Sequence, residues 1–360
     1  LFHTHDQEYL QDAAVSQGDF WFVVSPERIY PGRPTFNLYL WAAYKLFKED
    51  PAGYHLLQVW LHFLASLLVA FTFRRLGATF ELSLIGGLLF LMNVAHFRAV
   101  HWISATSYIL ALVFGLGAVL LYHRGLEADR RVWTLAAAPV LAAAVCAHPS
   151  VAIVALLCLF LALQRRLPVW SAVYTCLPLF AAAFISGVVL TVVYSAAPQV
   201  EAIVRAPELL DVIRNLFWML GRLITTAHWL PEFLFLQAHA GWELTVGLIF
   251  STALVFMATR CGTPLRFWLI WSIAFALPFV TSRMEGNASG PSRYLYFSSL
   301  GTTFILAWML QSLVFRVPKR RVFAARVLLT SVLAVILLSS ILGLSKSEAL
   351  SFYHSGRSYI

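Results

Sequence analysis

Residues 168–194 read PVWSAVYTCLPLFAAAFISGVVLTVVY, a stretch without a single charged side chain. The hydrocarbon core of a bilayer is about 30 Å thick and takes about 20 apolar residues of helix to cross. Backbone polar groups have no water to bond there, so only a helix or a closed barrel can span it. The stretch therefore predicts a membrane-spanning helix. Working outward, the same reading predicts spans near 54–74, 80–96, 102–122, 132–147, 149–164, 242–259, 265–283, 293–315 and 322–344. The expected fold is all-α and polytopic, with about ten transmembrane helices and an eleventh before residue 1.

The basic residues between these segments fall on alternate connections. Arg74/Arg75, Arg124/Arg130/Arg131, Arg165/Arg166, Arg260/Arg266 and the group Arg316, Lys319, Arg320, Arg321 and Arg326 share one side if the first span runs outside to inside. The positive-inside rule makes that side cytoplasmic. The expected organisation is an outer first loop over 1–53, a transmembrane domain over 54–344 with a long outer loop at 195–241, and an outer C-terminal extension starting at 345–360. The expected location is a bacterial inner membrane, with the active face extracytoplasmic.

Composition agrees, with 60% hydrophobic and 12% charged residues and a mean hydropathy of +0.76. Those values exclude an ordinary soluble domain. The net charge of +9 sits in short membrane-flanking loops without a continuous stripe, so it implies no nucleic-acid partner. The four cysteines, Cys146, Cys158, Cys176 and Cys261, have no paired spacing and indicate neither a disulfide framework nor a zinc site.

Polar chemistry concentrates on the expected outer face. The densest acidic cluster is His3-Thr4-His5-Asp6-Gln7-Glu8-Tyr9. Two carboxylates at i and i+2 suit a general base backed by a second acid. With His3 and His5 the same cluster suits a divalent metal. A solvated polar loop is the third reading. Residues 34–47, PTFNLYLWAAYKLF, read as an interfacial amphipathic helix or as a lead-in to the next span. LLDVIRNLFWMLGRLITTAHWLPEFLFL, within the 195–241 loop, carries an apolar stripe at helical spacing. Arg293, after a glycine- and serine-rich turn, is placed to bind phosphate or to snorkel to a lipid headgroup.

Three separated stretches carry a family resemblance. Asp6-Gln7-Glu8-Tyr9 resembles the acidic first-loop motif of the type C glycosyltransferases (GT-C). Tyr30-Pro31-Gly32-Arg33-Pro34, with FNLYLWAAYKLF and Gly53-Tyr54-His55-Leu56 behind it, is similar to that family's Arg-Pro segment and surface helix. NVAHFRAVHWISA at 93–105 and SRYLYFSSLG at 292–301 resemble segments of the membrane O-mannosyltransferases with C-terminal tetratricopeptide repeats. Arg98 departs from the acidic residue common there.

The resemblance implies inverting transfer of a sugar from a polyprenyl-phosphate carrier to a protein or glycan acceptor on the outer face. Asp6 is the implied base and Glu8 the supporting acid. Arg293 and Arg33 clamp the departing phosphate, and His96, Arg98 and His101 line the acceptor or substrate cavity. No cofactor is required, although His3 and His5 leave a metal-assisted variant open. The competing expectation is a catalytically inactive subunit of the same fold, acting as a structural component of a larger membrane complex. A transporter ranks below both, because internal repeats and ionisable residues at the bilayer midplane are missing from the pattern.

Overall fold

The structure is a computed structural model, and it describes residues 6–93, 96–194, 209–225, 262–280 and 293–315, together with short pieces between 245 and 256 and between 323 and 345. All regular structure among the described residues is helical. The chain divides into two compact units, Leu1–Ala65 with Ala99–Ala206, and Ser66–Arg98 with Pro207–Ile360.

In the first unit, helix α1 (Asp6–Gly18) opens with Asp6 and Glu8 in its first turn, where carboxylates complement the positive end of the helix dipole. The residues expected as an outer loop are thus largely helical. A 3-10 turn at Phe20–Val24 is capped by Asp19, whose side chain accepts from the Trp21 N–H. Helix α2 (Pro34–Phe47) starts with proline at its first position, where the missing N–H costs nothing. It buries Phe36, Asn37, Leu40 and Ala43, one stripe at helical spacing, against α1 and helix α7 (Arg131–Ala147). That stripe faces protein and not a lipid surface.

Helix α3 (Pro51–Arg75) runs through the division between the units. It ends in a Schellman closure: Ala78 N–H donates to Phe73 O at 3.0 Å and Gly77 N–H to Arg74 O at 3.3 Å. Gly77 takes φ +100° there, a conformation that excludes most other residues.

Helix α6 (Thr106–Ala128) follows a 3-10 turn at Ile103–Ala105. It packs along α7, which in turn packs on helix α9 (Val169–Tyr194). The core of this unit is Ile109, Leu112, Leu116, Val119, Leu141, Val145, Leu157 and Leu179. Each fully buried side chain of this size contributes roughly 1.5–3 kcal/mol. Helix α8 (Val154–Gln164) completes the unit against α9 and α6.

The second unit holds helix α4 (Phe80–Leu91), the N-terminal part of helix α5 (Phe97–His101), helix α10 (Leu209–Thr225), helix α11 (Thr263–Ala276) and helix α12 (Ser298–Phe315). Its core is aromatic: Phe73, Trp268, Trp271, Phe275, Phe297 and Phe304 are all essentially buried. Trp268 and Phe304 lie 5.4 Å apart and stacked, and the Trp271 indole donates to Phe297 O at 2.9 Å. The first part of the expected amphipathic stripe appears as α10, which buries Trp218, Met219, Leu220 and Leu223; its continuation over 226–236 lies outside the described residues.

Among the described residues the expectation of ten spans is not supported. Three of their helices are long and apolar enough to cross a membrane, at Pro51–Arg75, Ile103–Ala128 and Val169–Tyr194. The first and last expose apolar rows, Leu56, Val59, Trp60, Leu64, Leu67 and Phe71 on α3, and Leu177, Phe184, Ile185, Val189 and Val192 on α9. Rows of this length suit acyl chains as solvent. The other expected spans shorten to helices of 10–17 residues at 80–91, 131–147, 149–164, 264–279 and 329–342, or to the 18 residues of α12. The expected span at 242–259 lies largely outside the described residues.

The reason for the shortening is local. Hydropathy counts residues in turns as if they were helical. The 80–96 stretch stops being helical at Met92, which leaves the 12 residues of α4, about 18 Å of helix. The 149–164 stretch spends its first five residues in a 3-10 turn.

Candidate functional site

Asp6 and Glu8 stand two residues apart on α1, so a helical repeat points them to different sides. Asp6 is 1% exposed, and one of its carboxylate oxygens accepts from the Ser104 N–H at 3.0 Å. Ser104 belongs to the 3-10 turn that leads into α6. Asp6 thus meets the N-terminal end of the membrane-length Ile103–Ala128 helix, where unpaired N–H groups favour an anion. Glu8 is half-buried and accepts from the Tyr30 hydroxyl at 2.5 Å. Burial first, and this bond to Glu8 second, hold the Tyr30 phenol well above its usual range.

Arg33 donates to the Ser107 hydroxyl at 3.3 Å. Ser107 in turn donates to Ser104 O at 3.5 Å. A continuous chain of hydrogen bonds therefore runs from Asp6 through Ser104 and Ser107 to Arg33. The Tyr9 ring stacks on Tyr30 at 4.5 Å and meets Phe36 edge-on at 5.4 Å, which fixes the Tyr30–Arg33 segment over α1.

Beneath this lies a buried ion pair. Asp12 and Arg28 are each 4% exposed, with Arg28 Nε 3.6 Å from Asp12 Oδ2. Asp12 also accepts from the Ile29 N–H at 3.0 Å, and Arg28 donates to Ser16 Oγ at 3.0 Å and Phe22 O at 3.2 Å. Burial raises the Asp12 carboxyl above its ordinary value although Arg28 pulls it down. Burial likewise lowers the Arg28 guanidinium, against the pull of Asp12. The pair pins the loop carrying Tyr30 and Arg33 onto α1.

His101 also lies in the first unit, its ring stacked on His55 at 5.3 Å. His96, Arg98 and Arg293 belong to the second unit. His96 is buried, shares a 2.6 Å hydrogen bond with Ser299, and packs between Phe90 and Tyr296 at 4.4 and 4.7 Å. That is the setting of a packed core histidine. Arg98 is half-buried on α5. Arg293 begins a 3-10 turn, lies 5.3 Å over the Tyr294 ring and donates to its hydroxyl at 3.5 Å.

His3 and His5 lie outside the described residues. Among the described residues no group of three or more His, Cys, Asp and Glu side chains is arranged to hold a metal.

The sequence reading missed Ser104 and Ser107 as partners of Asp6 and Arg33. Neither carries a signal, since each is an ordinary serine near the start of an apolar helix. No family model, curated protein or solved structure matches this chain.

Proposed function

We propose that the chain is a multi-pass membrane glycosyltransferase of GT-C type, moving a sugar from a polyprenyl-phosphate carrier to an acceptor on the extracytoplasmic side. One observation carries the reading: a carboxylate, Asp6, and a guanidinium, Arg33, are joined by hydrogen bonds through Ser104 and Ser107 at the head of a membrane-length helix, with a second carboxylate, Glu8, two residues along α1. Acid, base and phosphate-binding chemistry then meet where a lipid-borne donor presents its headgroup. The arginine-rich connections, by the positive-inside rule, lie on the opposite, cytoplasmic side.

In the proposed step the acceptor hydroxyl attacks the anomeric carbon and passes its proton to the Asp6 carboxylate. The new glycosidic bond forms as the carbon–phosphate oxygen bond breaks, and the lipid phosphate leaves with that electron pair. Arg33 balances its charge. Glu8, held by Tyr30, is the supporting acid. A phosphate is already a good leaving group, so positioning and charge neutralisation supply most of the catalysis.

The burial of Asp6 at 1% exposure favours a second reading, in which this carboxylate only caps the Ile103–Ala128 helix and the chain is a non-catalytic subunit. Release of free polyprenyl phosphate from a panel of lipid-phosphate sugars, measured for the wild type, Asp6→Asn and Arg33→Ala, separates the two. Release that vanishes in Asp6→Asn and falls at least about ten-fold in Arg33→Ala, with helical content unchanged, supports transfer. No release from any donor by the wild type supports the subunit reading.

A further inference from the structure

A cavity of about 790 Å³ opens in the first unit, between the α6–α7 turn and the connection from α8 to α9. The site described above is at the other end of α6. Three guanidinium groups line the cavity, Arg130, Arg131 and Arg165, against one carboxylate, Asp129. The aromatic wall is Trp170 and Tyr174.

The three arginines are not equivalent. Arg165 is engaged, 3.3 Å from Glu127 and 2.6 Å from His123 Nε2. Arg131 rests on the Tyr174 ring at 5.5 Å, which orients its fork without neutralising it. The Arg130 residue is exposed, and its side chain has no hydrogen-bond or ion-pair partner among the described residues. Arg130 is also the N-cap of α7 and provides no side-chain cap for that helix. Ser171 adds a hydroxyl from the first turn of α9.

Two independent features select the ligand. Arginine forks and a hydroxyl converging on one space match the several acceptor oxygens of phosphate better than the single plane of a carboxylate. Two of the membrane-length helices, α6 and α9, have ends in the cavity wall. Trp170, at the mouth, is 83% exposed, as an indole at headgroup depth is. Basic pockets between membrane helices bind anionic headgroups in this way.

We propose that this cavity is a phosphate-binding site, taking the phosphate of an anionic lipid headgroup or the same group free in solution. Arg130 and Arg131 are the principal ligands and Trp170 flanks the acyl side. The site is separate from the glycosyl-transfer chemistry and does not depend on it.

The test uses the full chain in neutral detergent. Native mass spectrometry measures retention of phosphatidylglycerol against phosphatidylcholine, and calorimetry measures binding of inorganic phosphate. Both are repeated for Arg130→Gln/Arg131→Gln, for Arg130→Gln alone, and for Arg166→Gln, which removes a nearby cation outside the cavity wall. Arg130→Gln removes no side-chain hydrogen bond or ion pair among the described residues, so it reports on the site even if the double variant is unstable.

Selective phosphatidylglycerol retention, weakened at least about ten-fold by Arg130→Gln and unchanged by Arg166→Gln, supports the site and names the lipid as its source. Saturable inorganic phosphate binding with the same dependence supports it with a soluble source. Equal retention of both lipids with no phosphate binding overturns it, as does anion binding that survives the removal of Arg130 and Arg131.

Discussion

Replacing Arg28 with Met tests how the candidate site is held together. Met keeps much of the aliphatic volume, so the change removes chiefly the charge and its hydrogen bonds to Ser16 and Phe22. Asp12 is then left 4% exposed with the Ile29 N–H but without the Arg28 counter-charge. At the observed 3.6 Å, an effective dielectric of about 20 gives a gross attraction of about 4–5 kcal/mol. Burying the carboxylate costs more than this attraction returns, which is why its pKa is raised despite the arginine, and in the variant the carboxyl sheds part of that cost by taking up a proton. A net loss of about 3 kcal/mol is expected, within the range for removing one partner of a buried pair.

The assay is native-state hydrogen exchange of the α1 and Tyr30–Arg33 segments in detergent, where 3 kcal/mol reads as an increase in exchange on the order of 100-fold. Asp12→Asn should cost far less, because burial of that carboxylate already outweighs the pull of Arg28, and the double variant Asp12→Asn/Arg28→Met should cost at least about 2 kcal/mol less than the sum. Additive effects, or a change below about 0.5 kcal/mol in Arg28→Met, would refute the claim that this pair pins the loop.

The same pair sets a pH dependence. The folded Asp12 carboxyl holds its proton more tightly than the unfolded one at 3.8, so its contribution is fully present below 3.8 and is lost as pH rises through the raised folded value. Exchange of α1 amides should therefore show a falling opening free energy with rising pH across that window, a component absent in Asp12→Asn; the opposite slope would contradict it. In the second unit, a Cβ at Gly301 would run into the Trp268 carbonyl and Ser272 Oγ, so Gly301→Ala must push α11 and α12 apart and should lower stability by about 1–3 kcal/mol. Gly187→Ala on α9, where a Cβ meets nothing within 4 Å, should be neutral or gain up to about 1 kcal/mol. Unfolding midpoints in detergent compare the two, and equal midpoints would mean the α11–α12 approach is looser than described.

The all-helical class and the two segments at 54–74 and 168–194 were legible in composition and periodicity, because long uninterrupted apolar stretches leave the backbone no other way to satisfy its hydrogen bonds. The helix over 34–47 and the stripe that became α10 were legible for the same reason of spacing. Span count was not. Whether an apolar residue continues a helix or turns at Met92 or Pro149 depends on backbone geometry, to which hydropathy is blind.

The site divides in the same way. Asp6 and Glu8 stand out as the densest acidic cluster, and Arg33 through the resemblance of its Tyr30–Pro34 segment; charge density needs no coordinates to be seen. That Asp6 meets Ser104 across 98 positions of chain, that Arg33 meets Ser107 across 74, and that Arg28 is buried on Asp12 came only from tertiary structure. Serine carries no sequence signal for a distant partner, and a buried arginine reads like an exposed one until the packing around it is known. The basic cavity was visible only as two arginine-rich connections at 124–131 and 165–166. Their convergence on one volume follows from α6, α7 and α9 packing side by side, and sequence spacing cannot determine which helix ends become neighbours.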